Sequence, residues 1–179
     1  MARILLLYST VYGQSQRICA RLQSRLAVAG HSVNVAPLGE DAGLAGHDAI
    51  VIGASIRHGK HNPAVLDFVR TQLAMLQSVP SAFFSVSLIA RKPTRNTAES
   101  NPYVRTFLAR SPWRPALVGV FAGELDYQRY GFFDRYAIRF IMTLTKGPTD
   151  LRTKVEFTDW DEVDRFAARV ADLATGRAA

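Results

Sequence analysis

The sequence predicts an α/β fold in which a five-stranded parallel sheet carries helices on both faces. Short, fully apolar runs alternate with longer segments whose apolar residues recur every three to four positions. Fully apolar strands are typical of a parallel sheet, because helical crossovers cover both of its faces. The 179 residues and the 48% hydrophobic content suffice for one compact domain with a sizeable core.

The elements follow in a regular order along the chain. The predicted strands cover 4–7, 32–35, 48–53, 82–88 and 117–123, and a shorter alternating segment at 154–158 precedes the last helix. Gly30 is a natural C-cap for the first helix, and Asn62-Pro63 begins a helix that Pro80 ends. Further helices are predicted across 102–110 and from Thr158 onward, where the sequence is close to a capping box. The stretch 39–46 is predicted as a loop or a short helix.

The loop between the first strand and the first helix predicts a phosphate site. Its sequence is Tyr8-Ser9-Thr10-Val11-Tyr12-Gly13-Gln14-Ser15. Backbone N–H groups at a helix N-terminus attract anions, hydroxyls add donors, and Gly13 permits a tight turn. No Lys or Arg lies in the loop, so we expect neutral donors to hold the phosphate. The pattern is neither a Walker loop nor G-x-G-x-x-G, and an ordinary helix cap is the alternative.

Charge and cysteine content narrow the class of protein. The chain has 22 Lys+Arg against 15 Asp+Glu, a net charge of +7, which favours an anionic partner unless the source proteome is basic throughout. Cys19 is the only cysteine, and the histidines offer only a weak His58-x-x-His61 spacing, so we predict no metal site. We find no signal peptide and no apolar run of about 20 residues. We therefore expect a cytoplasmic chain whose membrane contact, if any, is peripheral.

The segment 124–153 does not belong to the alternating scaffold. It contains a predicted helix that Gly147-Pro148 ends. At about 100° per residue, a narrow basic stripe and a wide apolar face separate. The stripe consists of Arg135, Arg139, Thr143 and Lys146, and the face consists of Phe133, Tyr136, Ala137, Phe140, Ile141 and Leu144.

Two interpretations of this helix stay open. It either packs against the sheet or a dimer partner, or lies in a membrane interface with its aromatic rings in lipid and its cations at the headgroups. A nucleic-acid surface fits less well, because the aromatic rings do not interleave with the charges.

Basic residues collect where a ligand would bind. In open parallel sheets, ligands bind beyond the carboxyl ends of the strands. The loops at that edge are 9–15, 54–61, 89–95 and the segment from Glu124 onward, and they carry Arg57, Lys60, Arg91, Lys92, Arg95, Arg129 and Arg135. Each charge alone would be an ordinary solvated residue, but their shared placement predicts an anionic ligand or surface.

Several motifs together resemble known families. The element order and the loop 9–15 resemble the flavodoxin superfamily. More narrowly, the chain resembles the menaquinone-dependent protoporphyrinogen IX dehydrogenase family of bacterial haem synthesis. The segments that carry this resemblance are 53–59, 84–93, 113–115, 122–123 with Tyr127-x-x-Tyr130, Asp134-Arg135, and 158–160. The resemblance extends from Met1 to about Leu173.

The resemblance implies one flavodoxin-like domain over 1–175, with a basic aromatic insertion at about 124–153 and a disordered tail at 176–179. It implies FMN as the cofactor, protoporphyrinogen IX as the substrate, and menaquinone or ubiquinone as the electron acceptor. Its implied cofactor-binding residues are Ser9, Thr10, Tyr12, Gly13, Gln14, Ser15, Ala54, Ser55, Ile56, Arg57, His58, Ser87, Leu88, Ile89, Ala90, Ala122, Gly123 and Glu124.

The resemblance also implies peripheral association with the inner face of the cell membrane, and we expect no nucleic-acid partner. The candidates for substrate or membrane contact are Arg57, Arg91, Lys92, Arg129, Arg135, Arg139 and Lys146. Basic side chains such as Arg57, Arg91 and Lys92 could pair with the propionates of a porphyrinogen. Homo-oligomer formation is left open.

The sequence identifies no general base. His58 is a candidate by position only, and it stands where the family carries a tyrosine. The competing hypotheses are a flavodoxin-like FMN electron carrier, a quinone reductase that uses a nicotinamide, and a flavin-free interaction module. Flavodoxins are typically acidic and lack the basic aromatic insertion, so the charge argues against the first of these.

Overall fold

The predicted parallel sheet forms the centre of the protein. The computed structural model describes residues 1–39, 43–144 and 146–177, so positions 40–42 of the predicted loop at 39–46 and the end of the tail lie outside the described residues. The elements are β1 (Arg3–Ser9), α1 (Gln14–Val28), β2 (Ser32–Pro37), β3 (Ala49–Arg57), β4 (Lys60–His61), α2 (Pro63–Thr71), α3 (Leu73–Ser78), β5 (Ser81–Ser87), α4 (Pro102–Arg110), β6 (Leu117–Ala122), β7 (Glu124–Asp126), α5 (Phe132–Leu144), β8 (Lys154–Glu156) and α6 (Trp160–Ala174).

The sheet order is β2-β1-β3-β5-β6, and each of these four pairings is parallel. This confirms the predicted five-stranded parallel sheet. The short β4 pairs antiparallel with the end of β3, and β7 pairs antiparallel with β8 in a separate ribbon. The alternating segment at 154–158 therefore does form a strand, although it joins the insertion rather than the main sheet. The helix predicted after Asn62 is divided at Gln72, whose φ of −101° lies outside the helical range.

Two hydrophobic layers enclose the sheet because successive strand side chains point to opposite faces. Ile4 and Leu6 pack with the helices α1 and α6 on one face. Leu5 and Leu7 pack with α2, α3 and the Phe107 side of α4 on the other face. This double burial explains why β1 reads as a continuous apolar run, and it directs every loop at the carboxyl ends of the parallel strands to one edge.

The insertion forms a small cluster of its own beside that edge. Leu125, Tyr127, Tyr130 and Met142 are buried together there. The outer face of α5, in contrast, is exposed: Phe133 is 86% and Phe140 is 64% accessible. The outer part of the apolar face therefore does not pack against the sheet, and its contact with a dimer partner or a membrane stays a prediction. The face is wide because it serves two surroundings, one toward the sheet edge and one toward the exterior.

Gly53 leaves room for the Phe84 ring on the adjacent strand, so we predict that Gly53→Ala is destabilising. A Cβ at this position would lie 2.0 Å from Cζ of Phe84, a fully buried ring on the adjacent strand. Overpacking of this kind costs about 1–3 kcal/mol, which urea denaturation would measure. Gly39→Ala is the matched control, because a Cβ there meets no atom of the described residues within 4 Å. Equal free energies of unfolding for the two variants would contradict the prediction.

Candidate functional site

The loops at the carboxyl edge of the sheet enclose a cavity of about 520 Å³. Its walls are Thr10, Tyr12 and Gln14 around the first loop, 55–59 at the end of β3 and in the turn that follows, 86–89 at the end of β5, 123–124 after β6, Tyr103 and Tyr130. The helix α5 closes the remaining side through Asp134, Ala137, Ile138 and Ile141. These four positions recur at the spacing of one helix face, so α5 presents a separate face to the cavity.

The loop before α1 has the geometry of an anion site. Gly13 has φ 88°, a left-handed conformation that favours glycine, and α1 begins at the next residue. The N–H of Gly13 donates to Thr10 Oγ1 at 3.0 Å, which fixes the turn. Ser15 Oγ is buried and, within the described part of the chain, has no hydrogen-bond partner. An unsatisfied buried hydroxyl is costly, so this atom suits a ligand oxygen.

Glu124 forms ion pairs with three basic side chains beside this loop. Arg17 Nη1 lies 3.5 Å, Arg129 Nη1 3.6 Å and Lys154 Nζ 3.5 Å from its carboxylate oxygens. Arg129 also reaches toward the loop, since a Cβ on Gly13 would lie 3.9 Å from its Nη2. The loop itself contains only neutral donors, but the insertion places a guanidinium next to it. The sequence placed Arg129 at this edge of the sheet, but it did not show that its guanidinium lies next to the predicted phosphate loop.

Asp134 joins the insertion to two of the loops. Its carboxylate accepts hydrogen bonds from Tyr12 Oη at 2.5 Å, His58 Nε2 at 2.6 Å and Arg57 Nη2 at 2.9 Å. The bonds from Tyr12 and then His58 lower the pKa of Asp134 to about 2. The carboxylate is therefore ionised at neutral pH, and His58 Nε2 must be the donor. Burial and then the bond to Asp134 raise the pKa of Tyr12 to about 12, so the phenol keeps its proton.

The two histidines of the His58-x-x-His61 motif lie in different surroundings. His61 is buried between Phe83 and Phe107, and its Nε2 lies 2.9 Å from Ser85 Oγ. Burial lowers the pKa of His61 to about 4, so its ring is neutral at physiological pH. The His58 side chain is 60% exposed and bonded to Asp134. His61 is thus a packed core residue, whereas His58 belongs to the cavity wall.

Most of the predicted cofactor-binding residues come together at the cavity. Those that line it are Thr10, Tyr12, Gln14, Ser55, Ile56, Arg57, His58, Ser87, Leu88, Ile89, Gly123 and Glu124. Ser9 lines a smaller neighbouring cavity of about 210 Å³, which also contacts Arg57 and His58. Gly13 and Ser15 form the turn beneath the site. Ala54, Ala90 and Ala122 are buried in the core, where they support the loops that carry the lining residues.

The predicted basic residues separate into different surroundings. Arg57 alone among the seven substrate or membrane candidates lines the main cavity. Arg135 donates to the backbone carbonyls of Tyr127 and Tyr130, so it stabilises the turn before α5. Arg91 donates to the carbonyl of Leu88 and lies over the ring of Phe157, and burial lowers its pKa. Lys92 is half-buried after β5, and Arg139 and Lys146 are exposed.

Sequence reasoning missed several lining residues. Tyr103 and Tyr130 supply the aromatic surface that the loop after β5 lacks, and Tyr130 packs edge-on against Tyr12 at 4.8 Å. Asp134 was noted only as part of a motif. The recurrence of Asp134, Ala137, Ile138 and Ile141 along one helix face was the available signal, but it does not say which surface this face meets.

Comparison with known proteins assigns the chain to a domain family. Residues 5–152 match the flavodoxin domain family. The fold is also that of a short-chain flavodoxin associated with a non-canonical PDU bacterial microcompartment, with a TM-score of 0.56 and 13% identity over 99% of this chain and 100% of that one. The protein is therefore a flavodoxin-domain protein whose insertion adds one wall to the cofactor site.

Two curated relatives narrow the family. The chain is 43% identical over 173 residues to "Protoporphyrinogen IX dehydrogenase [quinone]" of Escherichia coli (strain K12), covering 96% of both chains. It is 44% identical over 175 residues to the Leishmania major protein of the same name, covering 96% of this chain and 75% of that one. The chain belongs to this family of oxidoreductases.

FMN is the cofactor of this flavodoxin domain, and the residues present fit it. Ser15 Oγ at the start of α1 and Ser87 Oγ at the end of β5 are both buried without a hydrogen-bond partner in the described chain. They mark the two ends expected for a flavin: a phosphate at the helix N-terminus and a polar ring edge beside β5. The contacts of each predicted residue with the cofactor stay predictions.

We predict that Gly13→Asp lowers the affinity for FMN at least a hundredfold. Two like charges about 4 Å apart repel by about 4 kcal/mol at an effective dielectric constant of 20, and a side chain at φ 88° adds backbone strain. Titration with FMN and with riboflavin, followed by flavin fluorescence, measures the effect. Gly30→Asp is the control, because Gly30 also has positive φ but lies at the other end of α1. Normal FMN retention by Gly13→Asp would exclude this loop as the phosphate site.

Proposed function

We propose that the chain, with FMN bound, oxidises protoporphyrinogen IX to protoporphyrin IX and passes the electrons to a membrane quinone. The observation that carries this proposal is the wall that α5 adds to the flavodoxin site. An electron carrier benefits from an exposed flavin edge, whereas a substrate oxidase needs a second surface facing the ring. Here Ala137, Ile138 and Ile141 provide that apolar surface.

The chemistry of the cavity supports a large, flat, carboxylate-bearing substrate. Leu88, Ile89 and Tyr103 line the cavity together with the apolar face of α5, and ligand sites of this kind combine apolar walls with a few placed polar groups. Arg57 adds a guanidinium to the lining. In the proposed fit, the apolar walls would contact the porphyrinogen macrocycle and Arg57 would meet a propionate.

The residues of the chain bind and orient the cofactor and the substrate and shield them from water. Bound FMN supplies the redox chemistry by accepting electrons from the substrate. In the proposed arrangement, the loop before α1 holds the cofactor phosphate and Ser87 hydrogen-bonds the flavin edge. The apolar residues of α5 exclude water from the reacting face. No side chain of the cavity is assigned a proton-transfer role, since the group best placed for one, His58, donates to an ionised carboxylate.

The deciding experiment is anaerobic incubation of the FMN-loaded protein with protoporphyrinogen IX and a menaquinone analogue. We expect porphyrin fluorescence to rise only when protein, substrate and quinone are all present. NADH is the matched alternative donor, and it should support no quinone reduction. Oxidation of NADH without porphyrin formation would instead identify a nicotinamide-dependent quinone reductase.

We also propose that the outer face of α5 contacts an anionic membrane, which would bring the site to its quinone. Phe132, Phe133, Phe140 and Leu144 are each more than 60% exposed, and Arg139 and Lys146 lie beside them. Burying one such apolar side chain is worth about 1.5–3 kcal/mol, and each cation near an anionic surface adds about 1 kcal/mol. Within the described residues, no helix is long and apolar enough to span a bilayer, so the contact would be interfacial.

We predict that Phe133→Ser with Phe140→Ser reduces binding to vesicles of mixed anionic and zwitterionic lipid by at least tenfold. Arg139→Glu with Lys146→Glu should reduce it mainly at low salt, because screening already weakens the electrostatic part at high salt. Arg110→Glu with Arg169→Glu is the control, since it makes the same charge change on exposed positions of α4 and α6. Unchanged cosedimentation of both α5 variants would show that this face serves another contact.

A further inference from the structure

The bonding of Asp134 is unusual for a structural ion pair. One carboxylate from the insertion accepts from a phenol, an imidazole and a guanidinium that belong to two separate loops. Asp134 is buried, whereas the side chains of Arg57 and His58 are 49% and 60% exposed. The donors thus line an accessible part of the cavity wall, and a carboxylate is the chemical group on which they converge.

The donors are also held in place by their own loops. Tyr12 packs edge-on against Tyr130 at 4.8 Å, which directs its hydroxyl toward the cavity. His58 (φ 50°) and Gly59 (φ 76°) are the two central residues of the tight hairpin in which Arg57 pairs with Lys60, and such turns use positive φ. The hairpin fixes the backbone that carries Arg57 and His58. Arg57 precedes His58 at the end of β3 and uses only Nη2 in its bond to Asp134.

In the proposed reaction, a flavin and a tetrapyrrole share the cavity, whose volume is about 520 Å³. This volume is typical of a site for one drug-sized ligand, so an outward shift of α5 would make room for the second. Asp134 lies in the first turn of α5 and bonds this helix to both loops, so exchange of these bonds would release that end of the wall.

We propose that Tyr12, Arg57 and His58 form a receptor for a propionate carboxylate of the substrate, and that Asp134 is an internal stand-in for that carboxylate. This inference rests on the proposed function. When a propionate binds, it takes over the donors of Asp134, and the N-terminal end of α5 moves away from the loops. The exchange replaces one carboxylate by another, so the Arg57 guanidinium keeps an anionic partner throughout.

The exchange has a measurable consequence, because Asp134 competes with the ligand. A competing internal group lowers the apparent affinity in proportion to the fraction of receptor that remains available. Neutralising Asp134 without changing its shape should therefore tighten the binding of a carboxylate ligand. If Asp134 only orients its three partners, the same change should weaken binding.

The test uses the FMN-loaded protein and two probes, protoporphyrin IX and its dimethyl ester, in which both propionates are blocked. Binding is followed by porphyrin absorbance and fluorescence. For the unmodified chain, we expect the free acid to bind at least about tenfold more tightly than the ester, the value of one charge-assisted hydrogen bond. Asp134→Asn should tighten binding of the acid about fivefold or more and leave the ester unchanged.

Two further variants complete the design. Arg57→Gln should lower the affinity for the free acid about tenfold and leave the affinity for the ester unchanged. Asp67→Asn is the control for the change in net charge, since Asp67 is exposed on α2 and pairs with Arg70. This variant should change the affinity for neither porphyrin. Flavin content and circular dichroism are measured for each variant first.

The outcomes separate this inference from the proposed function. Equal affinities for acid and ester in the unmodified chain would contradict the proposed propionate receptor but would leave porphyrin binding intact. This comparison needs no variant to fold. Weaker or unchanged binding of the acid to Asp134→Asn would overturn the stand-in role. Failure of the chain to bind either porphyrin would remove the proposed function together with the inference.

Discussion

Parallel pairing of five buried strands is the constraint from which the rest of the structure follows. Parallel neighbours need helical crossovers, and the crossovers bury both faces of the sheet. The strand ends at one edge then have nothing above them except loops. Backbone donors, hydroxyls and cations from distant parts of the sequence meet there without any local reason to do so. The topology of the sheet therefore determines where the site lies, and the individual side chains determine what it can bind.

The insertion adds a wall to this open edge and so forms one side of the cavity. A flavodoxin scaffold alone presents its cofactor site to solvent on one side, whereas α5 here supplies an apolar face and one carboxylate to that side. The same helix has a second, exposed face with aromatic rings. One element therefore links the chemistry of the cavity to the surroundings of the protein, and the short ribbon of β7 and β8 connects it to the sheet.

The sequence predicted those features that depend on local patterns. The order of strands and helices, the turn at Gly13 and the cap at Asn62, whose side chain accepts from the N–H of Ala64, all have short-range causes. The bonds of Asp134 do not, because His58 lies 76 positions away along the chain. Periodicity defined the apolar faces of α5 but not their partners. Arg135 illustrates the same limit, since its charge suggested a lipid contact and its bonds instead satisfy backbone carbonyls.

The exposed side of α5 also has a consequence for the behaviour of the protein away from lipid. A contiguous exposed aromatic surface is typical of a contact with another protein as well as of a contact with a membrane. A second copy of the chain would cover the same rings, so dimerisation through this face and adsorption to a membrane exclude one another. The oligomeric state in aqueous buffer would then depend on how much lipid or detergent is present, and a monomer would be the form that sits on the membrane.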